Sequence, residues 1–405
     1  MITFPVHFLW GAATSAYQVE GDNVFADWWH WEKSSGRKEP SGAAAGHYRY
    51  FEEDFTCAKL LHHSCHRLSI EWSRVEPHEN EFSAQEIAHY IDVITALRER
   101  NIQPIVTLHH FTNPEWLSRL GGWENPSACN YFIRYVEKIV EALSDKVRYW
   151  IPVNEPMVYV YHAYVAGIWP PQKRSLRISE RVAKNLLEAH TQTYKRIHDI
   201  YRKKRFAAPL VGIAHHMQAF VACRPTLRNK LGVYLRDRLF NLAFLEKLCR
   251  RNALDFIGVN YYTRGLVETK GWGIRNLLLD FCDQQHSRLK KNDLGWDIYP
   301  RGIYELLMKL KKFKLPVFVT ENGICTHDDA QRWEFIVDHL KYIAAALEKG
   351  VDVRGYMYWS LLDNYEWDKG FSPRFGLINV DYRSGARTVR ESARKFAGVC
   401  QTGKL

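Results

Sequence analysis

Eight short runs of apolar residues, many of them β-branched or aromatic, recur along the chain. They are FLWGAAT (8–14), HRLSI (66–70), PIVTL (104–108), RYWIPV (148–153), LVGIA (210–214), DFIGV (255–259), PVFVT (316–320) and RGYMYW (354–359). Runs this short, bounded by polar residues, read as buried strands. Helical patterns lie between most of them. Phe51, Phe55, Ala58 and Leu61 repeat at helical spacing, as do Ile87, Ile91, Ile94 and Leu97. The second stripe opens with Ser83-x-x-Glu86, a capping box. Asn125-Pro126 is expected to set the N-cap and first turn of a helix carrying Ile133, Val136, Ile139 and Leu143. Strand and helix alternating eight times predict an α/β fold: a (β/α)8 TIM barrel with elaborated rim loops. An open doubly wound sheet is the other arrangement, but no G-x-G-x-x-G follows any run. The stretches 222–252 and 264–295 have no clear period and are expected to be loops and helices on the rim.

The chain has 405 residues with no low-complexity tract, linker or break in composition, so residues 1–405 are expected to form a single catalytic domain. Aromatics make up 14%, including 14 Trp and 22 Tyr. They suit either an aromatic-rich core or a site that stacks on pyranose rings. The formal charge is +11. Its basic residues fall in short separate runs, at 202–205, 290–291 and 309–314, at helix ends or on polar faces, with no nucleic-acid motif among them. They read as solvated surface. Eight scattered cysteines form no C-x-x-C pair, which predicts free thiols in a reducing compartment and no disulfide framework. MITFPVHFLWGAA lacks the basic start and clean apolar run of a signal peptide, and no run of 18 apolar residues exists. The expectation is a soluble cytoplasmic protein with neither nucleic acid nor membrane as partner.

In a closed parallel barrel the functional groups gather where the strands end. Gln18 and Glu20 follow the first run. Arg67 lies in the second, and Glu71 follows it. His109 and His110, Asn154 and Glu155, His215 and His216, Asn260 to Tyr262, and Glu321 and Asn322 follow the next five, and Trp359 ends the eighth. Two glutamates at one mouth suit glycoside hydrolysis. One serves as general acid on the leaving oxygen; the other is a nucleophile, or a base for water, depending on their separation. G-x-S-x-G, H-E-x-x-H and the P-loop are absent. Neighbouring residues on a strand point to opposite faces, so no His doublet offers two metal ligands on one face. A three-His site drawn from separate strands is a minor alternative. No metal and no cofactor is expected.

Four segments carry a resemblance: FLWGAATSAYQVEG (8–21), NEP (154–156), VTENG (319–323) and WSLLDNYEWDKGFSPRFG (359–376). Together, and in this order, they resemble glycoside hydrolase family 1, the β-glucosidase family, over nearly the whole chain. The resemblance implies a retaining exo-β-glycosidase that releases terminal non-reducing β-D-glucose from a small β-glycoside or oligosaccharide, with galactosides and fucosides as further candidates. It implies Glu155 as acid/base and Glu321 as nucleophile, with Arg67 and Tyr262 on the nucleophile and Asn260 near the acid/base. Asn154 would bind the sugar 2-hydroxyl, and Gln18, His110, Glu366 and Trp367 the other hydroxyls. Trp359 would lie under the ring, Phe375 close the pocket, and Trp296 flank the leaving group. His215 and His216 receive no role and read as structural or rim residues. Glu321 is expected to be ionised beside Arg67, and Glu155 protonated. The alternatives are a 6-phospho-β-glycosidase and a catalytically silent sugar-binding relative: members that act on 6-phosphorylated sugars replace the Glu-Trp pair, whereas this chain keeps Glu366-Trp367, where a carboxylate would repel phosphate, and loss of either glutamate would mark a silent relative, whereas both are present. Phe111 stands where many members have Trp, and the chain is shorter than most, which suggests trimmed rim loops.

Overall fold

The computed structural model describes residues 1–36, 39–282 and 287–405. All eight runs are strands of one closed parallel barrel. They are β1 (Leu9–Ala13), β2 (Cys65–Ser69), β3 (Gln103–Thr107), β4 (Tyr149–Ile151), β5 (Leu210–His216), β6 (Phe256–Asn260), β7 (Val317–Asn322) and β8 (Val353–Trp359). Each pairs with its neighbour in chain order. The ring closes where Leu9 to Ala13 of β1 run beside Gly355 to Trp359 of β8. Every residue of β7 is buried. That is the mark of a strand covered on both faces, and it explains a continuous apolar run rather than an alternating one. Gly323 ends β7 because a Cβ there would lie 1.8 Å from the Trp359 carbonyl oxygen. Any side chain would force β7 and β8 apart just where both enter the mouth.

The Ser83 hydroxyl accepts from the Glu86 amide and opens the helix Ala84–Glu99, as the capping box predicts. The Asn125-Pro126 expectation is two residues early. The helix is Ala128–Leu143 with Ser127 at its N-cap. Asn125 instead accepts from the Ser127 amide (2.9 Å), an Asx turn that follows the 3-10 turn Gly122–Glu124.

The two unreadable stretches meet on the rim, apart from 283–286, which lie outside the described residues. Strands Ala219–Ala222 and Arg264–Val267 pair in parallel. The helices Leu227–Arg236, Ala243–Arg250 and Ile274–Leu279 lie beside or between them. Cys223 and Cys282 are joined as a disulfide, with Cα atoms 6.3 Å apart. This corrects the expectation of no disulfide. The two cysteines are 59 residues apart, and only the pairing of these rim strands brings them together. The other six cysteines are free thiols. The basic runs are largely at the surface and partly paired: Lys309 meets Asp237 at 2.7 Å and Lys312 meets Glu246 at 2.9 Å. No described helix is long and apolar enough to cross a membrane.

Candidate active site

Glu321, on β7, is buried at the mouth. The Arg67 guanidinium from β2 donates to one of its carboxyl oxygens, and the Tyr262 hydroxyl donates to the other. Arg67 is fully buried and held on two further sides. Its Nε donates to Thr107 Oγ1 (3.1 Å) and its Nη2 to Asn154 Oδ1 (2.7 Å).

Glu155 follows β4 and caps the short helix Pro156–Val160 with φ 42°, in the left-handed region. A non-glycine residue is strained there and persists only where its surroundings hold it. Here its amide is pinned to the Ala214 carbonyl (2.7 Å). Asn260 Nδ2 donates to Glu155 Oε1 (2.7 Å), while Thr320 donates to Asn260 Oδ1 (2.6 Å) and fixes which way that amide faces. Asn154 Oδ1 accepts from Arg67 and from Asn260 (3.2 Å), so its own amide group is left to donate to His110 Nε2 (3.2 Å). One unbroken network thus runs Glu321, Arg67, Asn154, Asn260, Glu155.

The sequence reading passed over His216. Its Nδ1 lies 3.5 Å from Glu155 Oε1, and its ring lies nearly parallel to that of Tyr262 (centroids 6.2 Å apart, 18° between planes). It stands level with Asn260 across β5 and β6. The signal was the alternation of side chains along a strand. His215 turns back and bonds the Asn241 carbonyl (3.0 Å), so His216 must face the mouth. The doublet 109–110 divides the same way: His109 bonds Asn113 (3.1 Å) while His110 faces the site.

Burial raises Glu321 to about 7, with the Glu155 charge adding and Arg67 and Tyr262 opposing. At Glu155 burial also pushes upward, but His216, through charge and contact, then Asn260 and Arg67 outweigh it and hold the group below its ordinary value. Burial thus pushes Glu321 toward its protonated form while His216, Asn260 and Arg67 favour the Glu155 anion, the opposite lean from the division expected from sequence. Burial and the Arg67 charge keep His110 neutral. With Nε2 accepting from Asn154, its Nδ1 carries the hydrogen and has no partner among the described residues.

The mouth opens into a cavity of about 600 Å³. Glu155, Glu321, Asn154, His110, Gln18, Tyr262 and His216 line it, and so do Trp296, Trp359, Glu366, Trp367 and Phe375; Arg67 and Asn260 stand behind the wall. At one end Gln18 donates to Glu366 Oε2 (3.2 Å) and to the Tyr365 carbonyl (2.9 Å), with its own carbonyl held by Ser15 (2.7 Å). Burial, with Glu321 and Asp368 adding, raises Glu366 to about 8. That push toward the protonated form weakens the expected repulsion of phosphate by its charge. The His110 ring lies parallel to both Trp359 and Trp367, 6.0 Å from each. Phe111 packs against Trp169 (5.0 Å) and Trp367 (5.2 Å). Phe375 and Trp296 sit 6.3 Å apart at the opposite side.

The model of glycosyl hydrolase family 1 matches residues 1–250 and 234–404. The β-glucosidase A of Thermotoga maritima is 29% identical over 99% of this chain and 98% of its own length. A β-galactosidase of Sulfolobus acidocaldarius is 29% identical over 100% of this chain and 96% of its own. Among solved structures, a β-glycosidase from Pyrococcus horikoshii superposes with a TM-score of 0.92 at 37% identity, covering 100% of this chain and 96% of that one. The chain belongs to glycosyl hydrolase family 1.

Proposed function

We propose that the chain is a single-domain, cytoplasmic, retaining exo-β-glycosidase that releases terminal non-reducing β-D-glucose from β-glucosides. Galactosides and fucosides are secondary substrates. The observation that carries this reading is the linked pair: Glu321 gripped by Arg67 and Tyr262, Glu155 gripped by Asn260, and both facing one cavity. Glu321 attacks the anomeric carbon while Glu155 protonates the leaving oxygen, giving a covalent glycosyl-enzyme. Esterified Glu321 carries no charge, so Glu155 loses its anionic neighbour, is stabilised as the anion, and takes a proton from water in the second step. Asn154 meets the 2-hydroxyl. Gln18, His110, Glu366 and Trp367 meet the other hydroxyls, with Trp359 beneath the ring and Phe375 beside it. Trp296 flanks the leaving group.

A panel of nitrophenyl glycosides tests the reading. The β-glucoside is expected to be hydrolysed without added metal and in the presence of a chelator, and the α-glucoside to be inert. Cleavage confined to a 6-phospho-β-glucoside overturns it.

The pH profile tests His216. The productive form needs Glu321 ionised and Glu155 protonated. That form carries one proton on the pair, and because Glu321 is the member pushed up, the proton is lost above about pH 7 and the rate falls there. In His216→Asn, Glu155 is no longer held down and takes up the second, inactivating proton at higher pH, so the acid limb of kcat/KM moves up. That limb is expected to move by about one pH unit, the effect of a charge within a few ångströms. An acid limb that does not move rules out this role for His216.

A further inference from the structure

The rim holds a cluster of metal-ligating side chains that takes no part in the catalytic network. Strands Ala219–Ala222 and Arg264–Val267 pair in register, with Ala222 beside Val267, so the residues that follow them, Cys223 and Glu268, stand level. The Cys223 amide donates to the Val267 carbonyl (2.9 Å) and holds the two strand ends together. A third segment lies antiparallel along the opposite edge. Phe281 bridges Val267, and the Cys282 amide donates to the Leu266 carbonyl (3.0 Å). Side chains alternate along a strand, so Leu266 and Glu268 share a face, and their register partners Cys282 and Cys223 share it too. Three donor atoms meet there. Cys223 Sγ, Cys282 Sγ and a Glu268 carboxylate oxygen all lie within 4.8 Å of one another.

With the sulfurs joined as a disulfide, the carboxylate has little to hold it. No hydrogen bond reaches it among the described residues, and its ion pair with Arg224 is long at 3.7 Å, although its side chain is only 30% exposed. The reduced pair is a different site. In a cytoplasm, thiols are kept reduced by cellular dithiols. Exchange with a dithiol passes two electrons to the pair: the reductant's thiols become a disulfide as Cys223 and Cys282 become thiols. Ionised, these and Glu268 set three negative groups against one another, which a cation must offset. Two thiolates and a carboxylate are a donor set for zinc, with bonds of about 2.3 Å to sulfur and about 2.0–2.2 Å to oxygen. Tetrahedral angles at those lengths put the donors roughly 3.6–3.8 Å apart. The Cα atoms of the two cysteines are 6.3 Å apart, so side-chain rotation alone brings the sulfurs to that separation. We propose that the reduced chain binds one Zn2+ through Cys223, Glu268 and Cys282, with water in the fourth position. Binding displaces the two thiol protons. The reverse exchange, with a small-molecule disulfide as oxidant, reforms the sulfur–sulfur bond and releases the ion. Both states clasp the same rim strands, and hydrolysis needs neither.

The metal content of the full chain, reduced with a phosphine, given Zn2+ and desalted, reads this directly. Expected is about one zinc per chain, against about none in the oxidised protein or in Cys223→Ser. Glu268→Gln should bind zinc at least about tenfold more weakly, the scale of loss when a group around a metal is changed. Zinc should raise the unfolding temperature of the reduced chain by a few degrees and leave the oxidised chain and Cys223→Ser unmoved. Circular dichroism shows that the variants fold, and the oxidised and reduced native forms carry the comparison if one does not. A reduced chain without zinc, equal zinc in the oxidised chain or in Cys223→Ser, or undiminished affinity in Glu268→Gln overturns the proposal. So does a count of six rather than eight thiols after the phosphine. None of these readouts uses hydrolysis, so the zinc site and the glycosidase reading fail separately.

Discussion

Replacing Glu321 by Gly is expected to remove hydrolysis of aryl β-glucosides by about four orders of magnitude or more, the scale of loss when a covalent nucleophile is deleted. The space left is bounded by Arg67 and Tyr262, a cation and a hydroxyl donor that previously held a carboxylate. A small anion such as azide suits that space. It should restore part of the turnover of an activated glucoside by attacking from the face Glu321 used, and the product should be the α-glucosyl azide. Isolation of the β-azide from this variant would show that Glu321 is not the attacking group. Unfolding is controlled for by circular dichroism, since the variant leaves Arg67 without its carboxylate in a fully buried position.

Glu155→Ala should behave in a different and diagnostic way. General acid–base assistance contributes about 10²–10⁴-fold. The loss should approach the upper figure for alkyl glucosides, whose leaving oxygen needs a proton. It should be small for the first step with dinitrophenyl glucoside, whose leaving group departs as an anion. The glycosyl-enzyme should then accumulate, because no base activates water, and a burst of released phenol should appear. Azide needs no base, so it should release the glycosyl-enzyme as the β-glucosyl azide. Equal losses on both substrates, with no burst, would remove Glu155 from the proton-transfer role.

The barrel was legible because each of its strands is buried on both faces and so leaves a continuous apolar run. The catalytic candidates were legible because those runs end abruptly in polar residues, as VFVT does at Glu321. The rim was not. The pairing of Ala219–Ala222 with Arg264–Val267 spans more than forty residues and has no local signal. The helix Leu227–Arg236 also exposes Leu227 (80%) and Tyr234 (64%), so its apolar stripe does not mark an inner face. The disulfide depends on that pairing and was hidden with it. The division of charge between the two glutamates was misread for a related reason. It hinges on a 3.5 Å approach between His216, on β5, and Glu155, just past β4, which are 61 residues apart in the chain. Glu366 was read as a charge because its residue type was known and its burial was not.

Gln18 and Glu366 touch across 348 residues of chain, one near the start of the barrel and the other just past its last strand. During synthesis at about 5–20 residues per second, these two emerge from the ribosome roughly 20–70 s apart. For all that time β1 has no β8 beside it, and the growing sheet carries two open edges able to pair with other chains. A nascent chain stopped between Glu321 and Trp359 therefore holds both glutamates yet lacks the far wall of the sugar cradle. It is a species for chaperones rather than a partial enzyme.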